Sequence, residues 1–220
     1  MDLGPLVLSF EVALVATAIA AVVGVSIGAL LASRRFLGRD LLDVIATAPM
    51  VLPPTVLGYY LLVAIGRRSM IGHAYEALTG SSIVFTRTGA VVAAAVGAIP
   101  IVVKSSRAAL EDVDIRLVHA ARTLGAGPMR AFFTVQAPLA ARGIVAASML
   151  AFARSLGDFG VTLMVAGDIP GETQTASLAI YDAIQGRRDD DALAMVLVLT
   201  ALAMTVLFCV NKLTEKRHAR

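Results

Sequence analysis

The sequence is short of charge, of cysteine and of histidine, and each shortage removes a class of function. Asp, Glu, Lys and Arg together make up 16% of its 220 residues, against about 25% in an ordinary soluble domain. There is one cysteine, Cys209, deep in an apolar run, so the chain has neither a disulfide framework nor a thiolate metal pattern. The three histidines, His73, His119 and His218, stand outside the apolar runs at unrelated spacings. No His/Cys/Asp/Glu cluster has metal-ligand spacing, so no metal or other cofactor is expected. No glycine-rich loop leads into Lys followed by Ser or Thr, which excludes a nucleotide-binding loop of the usual kind. No Ser, His and acid combination is suitably placed within the apolar runs. Active transport by such a chain would draw its energy from a partner or an ion gradient.

What the chain has in excess is hydrophobic surface, at 58% of residues, where soluble domains hold about 45–50%. The excess falls in long runs, which points to an all-α integral membrane protein. The formal net charge of +3 would hint at nucleic acid on a soluble protein. Here the basic residues sit in short loops between apolar runs, where they set orientation in a bilayer, and no nucleic-acid partner is expected. The N-terminus begins acidic, without a small-residue cleavage site, and reads as the lead-in to a retained span.

Five transmembrane helices are expected, at 12–33, 44–65, 88–103, 143–167 and 192–210. The first carries Gly24 and Gly28 in a G-x-x-x-G spacing, which is either a close helix contact or the ordinary glycine frequency of membrane helices. The third, at 16 residues, reaches about 24 Å at helical rise, so Arg87 or Lys104 is expected to snorkel. An interfacial helix is possible around 73–78. Five crossings put the two ends on opposite sides. Three basic residues in the first loop (Arg34, Arg35, Arg39), six between 104 and 142 and four in the tail share one side, against five on the other. The excess places the segment 104–142 and the C-terminus in the cytoplasm and the N-terminus outside.

Three stretches carry candidate chemistry. In APMVLPPTVLGYY (48–60), Pro53 and Pro54 remove two backbone donors and should kink or break the second span. Freed carbonyls in a membrane need partners or a cavity, so Pro53, Pro54 and Thr55 are candidates for a pathway-lining bend; a plain packing kink is the alternative. In LAFARSLGDFGVTLMVAG (150–167), Arg154 and Asp158 are four residues apart and can pair on one helix face. Ionisable groups inside a membrane face a bundle interior or a water path, and Gly157 and Gly160 permit unwinding beside the acid. Arg154, Ser155, Gly157, Asp158 and Phe159 are thus candidates for a gate, with a packing ion pair as the alternative. The third stretch is HAARTLGAGPMRAFFTVQAP (119–138), a polar, Arg-bearing insert between two spans. Residues 112–124 can form an amphipathic helix that Gly125-Ala126-Gly127-Pro128 stops. Pro128 suits the first position of a second short helix, 128–136. Such a pair makes either a knob for a cleft in another protein or an interfacial helix on anionic lipid.

The spacing His119-Ala120-Ala121, three residues, Gly125, nine residues, Val135-Gln136-Ala137-Pro138 resembles the EAA motif of ABC importer permeases, E-A-A, three residues, G, nine residues, I-x-L-P. The departures are His119 for Glu, Val135 for Ile and Ala137 for Leu. Because of His119, a charge-mediated contact of that Glu does not carry over. The wider chain, including VDIRLVHAARTLGAGPMRAFFTVQAPLA and the IPGETQT sequence at 169–175, is similar to molybdate permease subunits; sulfate permeases share parts of it. The resemblance implies a type I importer fold with cytoplasmic coupling helices across 112–138. It implies a homodimer in the inner membrane, two cytoplasmic ATP-binding subunits that carry the hydrolysis, and an external oxyanion-binding protein. It assigns His119, Ala120, Ala121, Arg122, Gly125, Pro128 and Pro138 to ATPase coupling. Tungstate or sulfate in place of molybdate, and a membrane scaffold or channel subunit with no ATPase, are the competing readings.

Overall fold

The computed structural model describes residues 3–33 and 36–214. Of the basic residues used to orient the chain, Arg34, Arg35, Lys216, Arg217 and Arg220 lie outside the described residues. The described residues form helices and connecting loops, with no strand among them, so the chain is an all-α, multi-span protein.

The bundle is built around α5 (Arg87–Glu111). Its interior face is made of small residues, among them Ala90, Ala93, Ala94, Gly97 and Ala98, all buried. A thin helix lets its neighbours' backbones approach closely, which is how helices associate when lipid removes the usual hydrophobic drive. In α5, 56% of the apolar stretch is buried; in α11 (Asp189–Thr214) the share is 11%. α5 is thus the core of the bundle and α11 its periphery.

Against α5 lies α1 (Gly4–Ser33). Leu8, Val12 and Ala16 pack on Ala90, Ala94 and Ala95, and Ala20 on Ala98 and Val102. A Cβ on Gly24 would stand 2.6 Å from the Val102 Cβ. The G-x-x-x-G spacing is therefore a close helix contact. The two helices also run parallel, since early residues of one meet early residues of the other. The chain between them must return across the bundle. It does so through α2 (Arg39–Val51) and α3 (Pro54–Ile65). Arg39 sits at the end of α1, donating to the Leu31 carbonyl, while Ile65 packs with Ile83 and Val84 just before α5. The second span, expected over 44–65 with a kink or break at its prolines, is two helices bent by 118°. Its arms have 13 and 12 residues, and neither alone reaches across an apolar core of about 30 Å. A short helix, α4 (Met70–Thr79), capped by the Ser69 hydroxyl, follows.

Two further expectations shift. The helix of the third span does not stop at Val103: α5 runs on to Glu111 for 25 residues. Lys104 does not merely snorkel. It donates to Asp43 of α2 at 2.8 Å, Arg107 pairs with Asp43 and Glu111 at 2.9 Å each, and Arg39 lies 3.6 Å from Glu111. The charges mark the edge of the apolar core, not the end of the helix. The fourth run, expected over 143–167 with glycines that permit unwinding, starts earlier and is broken at those glycines. Helix begins at α7 (Pro128–Ala131), passes through a π-helical turn (Phe132–Gln136) into α8 (Ala137–Leu156), breaks, and resumes as α9 (Gly160–Ala166). α8 runs antiparallel to α5, with Gly143 against Ala109 and Ala151 against Ala98. The loop after α9 is held by Thr173, which bridges the Ile169 amide and Gly167 carbonyl. α10 (Ala176–Gln185) and α11 follow. The C-terminal part of α11, at Val206 and Val210, packs on the middle of α8, at Ala146.

Candidate functional site

Two helix breaks meet, at Pro53-Pro54 and at residues 157–160. At the first, Leu52 precedes a proline and is pushed to extended backbone, ψ 138°, because the proline ring excludes the helical conformation before it. Pro53 is extended too, and Pro54 starts α3 at the position where a missing N–H does no harm. At the second, α8 ends at Gly157 and α9 starts at Gly160. The breaks touch: a Cβ on Gly160 would lie 2.7 Å from the Pro54 Cβ. Pro53, Pro54 and Thr55 are exposed, as are Tyr59 and Tyr60 further along α3. Phe159 stacks at a tilt on Tyr181 of α10, with centroids 5.1 Å apart.

Asp158 lies between the two halves of the broken helix and is 3% exposed. A buried carboxylate is costly unless its oxygens are satisfied, and here both are. Arg154 Nη1 donates to Oδ1 at 3.0 Å. The Thr162 amide and hydroxyl donate to Oδ2 at 3.0 and 2.6 Å. The acid therefore caps the first turn of α9, whose free amides would otherwise be orphaned in an apolar core. Arg154 is different. Its side chain is 40% exposed, and among the described residues Asp158 is its one acceptor. Gly97 of α5 leaves it room. The accessible side of this ion pair is cationic, with guanidinium donors to spare. Ser155 is buried, its hydroxyl without a partner among the described residues. Gly157 is exposed at the break.

At the opposite end of α8 stands the exposed knob. α6 (Ile115–Thr123) has no buried residue. It starts on Asp114, whose carboxylate accepts from the Arg116 amide. It ends in a Schellman turn: the Ala126 amide donates to the Ala121 carbonyl and the Gly125 amide to that of Arg122, both at 3.1 Å. Gly125 has φ 89°, a conformation glycine adopts without steric penalty. A Cβ at Gly125 or Gly127 would meet nothing within 4 Å, so the tip is open all round. His119, Ala120, Arg122, Gly125 and Pro128 are exposed and Ala121 half-buried. The second short helix expected over 128–136 is not separate. It is the first part of a 29-residue helix, Pro128–Leu156. Pro138 does not end it. A proline lacks the amide for a regular turn and its ring crowds the preceding one; the π turn just before it, closed by the Ala137 amide on the Phe132 carbonyl, gives the room. Gln136 ties this turn to α5 through the Leu110 carbonyl at 3.3 Å.

The profile of the family described as "Binding-protein-dependent transport system inner membrane component" matches residues 24–219. The chain belongs to this family. The permease is 44% identical over 198 residues, 90% of its own length and 86% of the relative's, to the molybdenum transport system permease protein ModB of Escherichia coli (strain K12). To the protein of the same name in Haemophilus influenzae it is 38% identical over 217 residues, 99% of its length and 95% of the relative's. Among solved structures it shares the fold of the MetNI methionine ABC transporter in inward-facing conformations, with TM-score 0.73 and 18% identity over 94% of this chain and 92% of that one. A bacterial ABC transporter involved in alginate import gives TM-score 0.64 at 12% identity, over 97% and 80% of the two chains. The fold is thus that of type I importer permeases, and the permease is a multi-pass inner-membrane component of an ABC importer.

The structure also brings in residues that sequence reasoning passed over. Thr162 completes the Asp158 site, and an Asp four residues before a Thr just after a glycine was the available signal. Asp43, at the edge of an apolar run, gave no sign of its partners, which lie 61 and 64 positions away.

Proposed function

We propose that the permease passes molybdate inward by alternating access, as a homodimer with two cytoplasmic ATP-binding subunits and an external oxyanion-binding protein. The observation that carries this is the single helix running from Pro128 beside the knob to Leu156 at the break. At about 1.5 Å per residue its 29 residues reach roughly 43 Å. A force applied to the exposed tip is delivered at Arg154 and Asp158. ATP binding would draw two such tips together and bias the paired breaks toward one of two arrangements. The residues of coupling are His119, Ala120, Ala121, Arg122, Gly125, Pro128 and Pro138. Those of the pathway are Pro53, Pro54, Thr55, Arg154, Gly157, Asp158 and Phe159, with Ser155 buried behind them. The cationic side of the Arg154–Asp158 pair suits an oxyanion. The excess of basic residues at the knob end supports placing it and the C-terminus in the cytoplasm and the N-terminus outside. Molybdate is favoured over tungstate or sulfate by the relatives named for molybdenum transport.

The test is co-purification with the cognate ATP-binding subunit, followed by uptake in vesicles. The subunit is expected to copurify, and Gly125→Asp to abolish uptake, since φ 89° disfavours a side chain there and the added carboxylate stands on the open tip that docks. No copurification, with uptake intact in the variant, would leave a scaffold or channel subunit as the answer. The substrate is decided by titrating the external binding protein with molybdate, tungstate and sulfate in competition, where molybdate is expected to displace sulfate.

A further inference from the structure

Between Asp114 and Asp158 the chain contains no acidic residue, while Arg116, His119, Arg122, Arg130, Arg142 and Arg154 fall in that interval. The knob is therefore of one sign. On α6, Arg116, His119 and Arg122 are three residues apart in succession and share one face. All three are exposed, whereas Val118 and Ala121 on the other side are half-buried. None of the three has an acidic side chain as partner among the described residues. The nearby acids are committed elsewhere or lie at the start of the helix: Glu111 pairs with Arg107 and Arg39, Asp114 caps α6 through the Arg116 amide, and Asp112 sits at the C-cap of α5. A glutamate at 119, as in the EAA pattern, would stand between the two arginines within pairing reach of both and neutralise much of the stripe. Histidine supplies no negative charge there.

We infer that the surface receiving α6 on the ATP-binding subunit is acidic, with carboxylates facing the stripe Arg116–His119–Arg122. This rests on the coupling role proposed above for the knob. The stripe's two guanidinium groups have no acidic partner among the described residues, so the ATP-binding subunit supplies the compensating charge, and the dock is electrostatic in specificity. The helix end stands clear on every side at Gly125 and Gly127, as a tip entering a cleft requires and a helix lying flat on lipid does not.

The experiment measures binding of the purified permease, in neutral detergent, to its cognate ATP-binding subunit across a salt series and with charge reversals. Binding is expected to weaken steeply between about 0.05 and 0.5 M salt as screening shortens the range of the field. His119→Glu, Arg116→Glu and Arg122→Glu are each expected to weaken it by on the order of tenfold, with unchanged melting temperature because all three side chains are exposed. A carboxylate-to-lysine change in the partner's cleft should rescue Arg122→Glu. Binding that ignores salt, or that His119→Glu leaves equal or tighter, overturns the inference while the importer reading stands. Failure of the unmodified permease to bind at all sinks both. A response to the reversals that appears only when anionic lipid is added assigns the stripe to the bilayer and overturns the inference.

Discussion

Asp158 illustrates how a charge becomes part of a membrane bundle. Its carboxylate receives one hydrogen bond from Arg154 and two from Thr162, so the charge is compensated where it lies and the amide end of α9 is closed. The hydroxyl of Thr162 is the least obvious of these donors and the easiest to remove without changing shape. Thr162→Val is expected to destabilise the permease by about 1–3 kcal/mol, the usual range for losing a bond to a charged group, and Thr162→Ser to restore most of it. Thermal unfolding in detergent reads both; a valine variant that melts with the wild type would mean the cap carries no weight. Arg154 is the exposed member of the pair, and that gives the pair a cationic outward face.

At the scale of elements, the two discontinuities have separate causes and a common location. Proline chemistry makes the first: neither Leu52 nor Pro53 takes a helical conformation, and the pair α2–α3 bends by 118°. Glycine and a capping acid make the second. With alanine at both 53 and 54 the segment from Arg39 to Ile65 regains two backbone donors and is expected to straighten. Spin labels at the exposed positions Leu41 and Val63 would then stand about 33 Å apart at helical rise, well beyond their separation in the bent pair. Transport is expected to fall in the same variant, because Pro54 no longer rests on Gly160. An unchanged label distance would show that packing, not proline, holds the bend.

At the scale of the whole molecule, the parallel pairing of α1 and α5 decides the topology. It obliges the chain to return between them, through the segment that holds the bent α2–α3 pair. That pairing depends on small residues. Gly24→Ala would place a methyl 2.6 Å from the Val102 Cβ, and overpacking of this kind costs about 1–3 kcal/mol. The expected result is a lower melting temperature with membrane insertion retained, read by thermal unfolding of the purified permease. The salt bridges of Asp43, Lys104, Arg107 and Glu111 brace the same end of the bundle as the knob, a link between the docking element and the bent pair that passes through α5.

By itself the sequence determined the class of protein, the apolar runs, the position of both breaks and the knob, because each follows from local chemistry. Runs of apolar residues seek lipid, prolines remove donors, and Gly125-Ala126-Gly127-Pro128 cannot continue a helix. It did not reveal how far the helices run. Charges at Lys104–Glu111 looked like the end of one span and 128–136 like a separate short helix, yet helix continues past both, since Asp43 compensates the first and a π turn accommodates Pro138 after the second. Nor did it show that Pro54 meets Gly160, that Thr162 closes the Asp158 site, or that α1 lies parallel to α5. Those facts depend on which surfaces come within a few ångströms of one another, and only tertiary packing brings together residues that the chain holds dozens of positions apart.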